Sequence, residues 1–127
     1  MAASAGISLT EGDISFYDFV RNCYKGSLRK LCYMVTIDER TFRYYKCQTP
    51  PKNVVISICA VLGYDKYHTD MLLHKLGYCL SDSILTDSVV AFYLRENSQE
   101  KGLRRLNMIN TALYEMGVSP LINANKK

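Results

Sequence analysis

Residues 27–64, "SLRKLCYMVTIDERTFRYYKCQTPPKNVVISICAVLGY", contain three runs of apolar side chains, each repeating at helical spacing and each bounded by residues that stop or start helices. Ser27 is placed to cap a short helix whose inward face is Leu28, Leu31, Cys32 and Val35, ending near Thr36. Asp38 then caps a helix over 38–46. Ile37, just before the cap, is positioned to pack on Phe42 and fix the angle at which the chain enters, and Tyr45 continues the same face. Pro50 and Pro51 cannot continue that helix but suit the opening of the next, which turns Val55, Ile58, Cys59 and Leu62 inward and stops at Gly63. Two short helices joined by about three residues have the spacing of a helix-turn-helix.

The same period governs the rest of the chain. A first helix is expected from about Asp13, with Phe16, Phe19, Val20 and Cys23 as its stripe and Gly26 as its stop. A fifth, capped by Asp65 or Thr69, carries Met71, Leu72 and Leu76 and ends at Gly77. Ser81 or Asp82 caps a sixth that presents Leu85, Val89, Val90, Phe92 and Tyr93 and ends near Glu96. Asn97 to Gly102 reads as a polar hinge, and a seventh helix follows with Leu103, Leu106, Ile109, Asn110 and Leu113 before Gly117 and Pro120, after which "INANKK" frays. No stretch alternates with period two, so the expected class is all-α. With 127 residues, 48% of them hydrophobic and no long linker, one domain is expected, divided into a part at 13–77 and a C-terminal extension at 78–121.

Composition narrows the functional classes. The longest apolar run, "VVISICAVLG", is about half of what spans a bilayer, and the opening "MAASAGISLT" has no signal-peptide pattern, so a soluble cytoplasmic protein without membrane attachment is expected. Five widely spaced cysteines, Cys23, Cys32, Cys47, Cys59 and Cys79, suggest neither a disulfide framework nor a zinc site. His68 and His74 fall on different helical faces, which argues against a metal pair. The chain has no G-x-S-x-G, P-loop or H-E-x-x-H motif, and the serines of "LSDSILTDS" read as helix caps, so neither an enzyme nor a cofactor is expected. The net charge of +4 is local in origin. Between Lys25 and Lys52 stand seven basic residues against two acids, a concentration suited to a phosphate backbone.

The pattern Leu31-Cys32, Ile37-Asp38, Phe42, the "CQTPP" exit and the apolar helix ending "AVLGY" resembles the Cro/cI-type, lambda-repressor-like helix-turn-helix domain. The later stretches "LLHKLGYCLSDSILTDSVVAFYLRE" and "INTALYEMGVSPL" look like the helical extension that follows such domains in many bacterial proteins, and together the segments cover roughly residues 27 to 121. The resemblance implies a compact five-helix lambda-repressor-like domain with two further C-terminal helices, Thr36 standing at the tight-turn position usually held by glycine. It implies double-stranded DNA as partner, read by the helix at 38–46. Arg40, Thr41 and Arg43 would then lie near base edges or phosphates, Tyr44 and Lys46 would brace the backbone, and Ser27, Lys30 and Lys52 would anchor phosphates. Glu39, in that position, would repel phosphate unless it accepted from a cytosine amino group.

Two other readings stay open. The same scaffold without DNA reading would be a protein-interaction module, an adaptor or an inhibitor of a phage-defence or CRISPR-type effector. Ten tyrosines among basic residues also suit stacking on single-stranded bases, although sealing the margins of a core explains them more simply. The seventh helix carries a candidate dimer or partner surface in Leu103, Leu106, Leu113 and Met116, from which a homodimer is one expectation.

Overall fold

The computed structural model describes residues 15–96 and 101–121. Within them the chain forms seven α-helices and no strand: α1 Phe16–Cys23, α2 Leu28–Met34, α3 Glu39–Arg43, α4 Lys52–Leu62, α5 Lys66–Lys75, α6 Leu85–Glu96 and α7 Leu103–Glu115. A 3₁₀ turn, Tyr44–Lys46, continues α3. The chain is thus all-α, as the periodicity predicts. The expected helix start at Asp13, the first four hinge residues and the final "INANKK" lie outside the described residues.

α4 is the centre. Residues 55 to 61 are buried on every side, including Ser57, and a helix that is apolar all round has no face to give to water. It packs against α5 and α7, and α6 packs on α5 and α7 in turn. At the other end, α1 closes over α3 and its 3₁₀ turn through aromatic rings.

Four of the helices end in one way. Tyr64 N–H reaches Cys59 O at 3.0 Å, Tyr78 N–H reaches Leu73 O at 2.8 Å and Val118 N–H reaches Leu113 O at 3.0 Å, each bond spanning a left-handed glycine, Gly63, Gly77 or Gly117. The same closure at the end of α2, Ile37 N–H to Cys32 O at 2.9 Å, is made around Thr36 with φ of 54°. A β-branched residue in that region costs roughly 1–2 kcal/mol.

Polar side chains fix the remaining joints. Arg105, on α7, is fully buried and reaches the carbonyl oxygens of Ala60 at 3.4 Å and Leu94 at 3.3 Å, near the ends of α4 and α6. Asn110 accepts from Leu121 N–H at 2.8 Å and secures the exit from α7. The start of α6 differs from expectation, since the helix begins at Leu85 and neither Ser81 nor Asp82 is its first-turn cap. The buried Asp87 carboxylate reaches back to accept Ser81 N–H at 2.8 Å, and Ser88 Oγ donates to Asp82 O at 2.9 Å, so residues 81–84 fold as a turn over the helix start. Among the described residues no helix is long and apolar enough to cross a membrane.

Candidate nucleic-acid interface

α3 is built on an aromatic base. Phe42, wholly buried, stands 5.3 Å from the Tyr17 ring, 5.7 Å from Tyr45 and 6.4 Å from Phe16, and Phe16 and Tyr45 meet edge to face at 6.3 Å. Burying Phe42 stabilises this end by about 2–3 kcal/mol, and the edge-to-face geometry adds to it. Ile37 is half-buried against the same core. Burial beneath α3 also raises two acidities: the Cys32 thiol is pushed up to about 11, with the nearby Glu39 carboxylate adding to the effect, and the Tyr45 hydroxyl is raised by its loss of water. Both side chains remain neutral at physiological pH.

The helix is shorter than the expected 38–46. Its α-helical part ends at Arg43, and the chain tightens into the 3₁₀ turn where Cys47 N–H and Gln48 N–H both take Tyr44 O at 3.0 Å. Converging on one carbonyl ends the helix before the two prolines would force it to stop. Asp38 occupies the cap position but makes no side-chain capping hydrogen bond; its backbone carbonyl accepts Phe42 N–H at 3.0 Å.

Arg40, Thr41, Arg43 and Tyr44 are all exposed. Arg40 makes no ion pair among the described residues. Arg43 lies 3.6 Å from Glu39 on its own helix, and the other oxygen of Glu39 lies 3.4 Å from Arg29 of α2. Glu39 therefore stands between two guanidinium groups, a pairing that linear reading cannot supply because Arg29 lies on another helix. The bridge spans the outer sides of α2 and α3. Lys46 is exposed, with its ammonium 5.0 Å above the Tyr17 ring, and Arg21 approaches the same ring at 5.7 Å.

The expected phosphate anchors fare differently. Lys30 is exposed, and Ser27 is exposed but has a structural task, its hydroxyl accepting Lys30 N–H at 3.0 Å as the cap of α2. Lys52 does not belong to the surface set. Its ammonium is 2.7 Å from Asp87, whose side chain is only 4% exposed, because a carboxylate buried to that degree requires a counter-charge. The candidate dimer surface is corrected in the same way. Leu106 and Leu113 lie in the chain's own core, since the broad inner face of α7 packs on α4 and α6; Leu103 and Met116 alone of the four are exposed.

No family model, curated protein or solved structure matches the chain.

Proposed function

We propose that the protein is a DNA-binding regulator of the Cro/cI type, in which α3 and its 3₁₀ extension enter the major groove of double-stranded DNA. The observation that carries this reading is the division of α3: Phe42 and Tyr45 are buried while Arg40, Thr41, Arg43 and Tyr44 are exposed on the same eight-residue segment. A rigid base under exposed guanidinium groups is what base-edge and phosphate contacts require. Lys25 and Lys30, also exposed, extend the positive field toward α2 and would speed encounter with the polyanion.

The test is a salt titration of binding to mixed-sequence duplex. Affinity should fall steeply with added salt, and Arg40→Ala with Arg43→Ala should lower it by at least about tenfold at low salt while reducing the slope of log K against log[salt] by about 2. Unmeasurable duplex binding at low ionic strength, or a slope indifferent to both substitutions, would refute the reading.

One observation favours the second reading, a protein-interaction module. Glu39 offsets two of the nearby cations, and α3 itself is only five residues long. A partner interface would tolerate salt and depend more on Tyr44 than on Arg40.

A further inference from the structure

A groove of about 760 Å³ opens between the turn joining α2 to α3 and the outer side of α7. One wall carries Tyr33, Thr36 and Asp38, the other Leu103, Asn107 and Tyr114. Tyr33 and Tyr114 are 77% and 75% exposed, so two large rings stand at the groove with most of their surface facing water. The volume lies in the range of small-molecule sites.

The side chains lining this groove differ in charge from the chain as a whole. Among the described residues no lysine, arginine or histidine lines it, whereas the protein as a whole carries +4. The one carboxylate in the lining is Asp38, which makes neither a capping hydrogen bond nor an ion pair among the described residues. Its neighbour Glu39 is engaged with Arg29 and Arg43, so the negative charge available at this end of α3 belongs to Asp38. Aromatic faces beside an unengaged carboxylate form an environment that favours organic cations, by ring quadrupole and by charge, and disfavours anions.

The turn supports the same conclusion. Thr36 is the only non-glycine among the described residues held at positive φ, and it stands where three other helix ends use glycine. Backbone strain of this kind persists where the surrounding structure holds it in place, and it clusters at binding sites and switch regions. Thr36 lines the groove.

We propose that this groove is a binding site for a small organic cation, an apolar or aromatic body carrying one ammonium group that pairs with Asp38 between Tyr33 and Tyr114. The site stands apart from nucleic-acid binding and is tested without any. Calorimetric titrations of the full chain would use phenethylamine, with 2-phenylethanol as the uncharged analogue and 3-phenylpropionate as the anionic one. The amine should bind saturably and about tenfold more tightly than the alcohol, with the carboxylate weakest. Asp38→Asn, which retains a side chain suited to the start of a helix, should abolish the preference for the amine, and Tyr114→Ala should weaken amine binding several-fold. Circular dichroism would establish that both variants fold. Absence of saturable amine binding, equal binding of the three probes, a preference that survives Asp38→Asn, or amine binding indifferent to Tyr114→Ala would each overturn the proposal.

Discussion

Lys52 and Arg43 belong to one basic segment, yet they meet their carboxylates in different surroundings. Lys52 and Asp87 join α4 to α6 at 2.7 Å, with side chains 26% and 4% exposed. Arg43 and Glu39 stand 3.6 Å apart on one turn of helix, with side chains 57% and 33% exposed and Arg29 sharing the acid. Water screens the second pair and is largely kept from the first. A basic segment therefore contains two kinds of charge: one that holds helices together and cannot be offered to a ligand, and one that can exchange its present partner for another at little cost.

That contrast can be broken by experiment, and the largest effect should come from the buried pair. Asp87→Ala leaves the Lys52 ammonium without its counter-charge and Ser81 N–H without its acceptor, and should lower stability by about 3 kcal/mol, read as a shift in the urea midpoint. A loss under about 1 kcal/mol would mean that the pair is no more than a surface contact.

Asp65 stands between the extremes. Its carboxylate is partly exposed and caps α5, accepting His68 N–H at 2.9 Å with the His68 ring nitrogen at 2.8 Å. Asp65→Ala should cost about 1 kcal/mol. The backbone N–H of His68, with its side chain assisting, holds the Asp65 carboxyl below its ordinary value against the opposing effect of burial. Its stabilisation is therefore present above the ordinary carboxylate range and lost as pH falls through the lowered folded value. The acid limb of a stability profile should accordingly be shallower in the variant, and an unchanged limb would show that the cap contributes nothing there.

The smallest change in stability belongs to the exposed cluster. Glu39→Gln should alter stability by less than about 0.5 kcal/mol. On the DNA-binding reading it should also raise duplex affinity about two- to fivefold at low salt, by removing a negative charge beside Arg29 and Arg43, with the gain shrinking as salt is added. A large loss of stability would place Glu39 in the same class as Asp87.

Local rules carry the sequence a long way here, and their reach explains where they stop. Ser27, Asp65, Gly63 and Gly117 announce helix ends because each acts on backbone groups within a few residues. Phe42 and Tyr45 announce their burial by helical spacing. Lys52 gives no such signal, since Asp87 is 35 residues away and nothing beside Lys52 distinguishes it from a surface lysine. Leu106 and Leu113 look like surplus apolar area until α7 is seen to pack on the central α4. Arg105 is the most concealed. It reads as one of two charges in "LRRL", although its place four residues before Ile109 and seven before Ala112, both buried, sets it on the inner face of α7. The groove beside Thr36 has the least local signature of all, because its two walls come from segments far apart in the chain.

Arg105 has a consequence for how the molecule fails. A guanidinium does not give up its proton over the range in which proteins stay folded, so the hydrogen bonds that clasp Ala60 and Leu94 persist from acid to alkali. The Asp65 cap depends instead on an ionised carboxylate, held below its ordinary value chiefly by the backbone N–H of His68. Acid should thus loosen the bundle first where α5 begins, while the far ends of α4 and α6 stay gathered around α7.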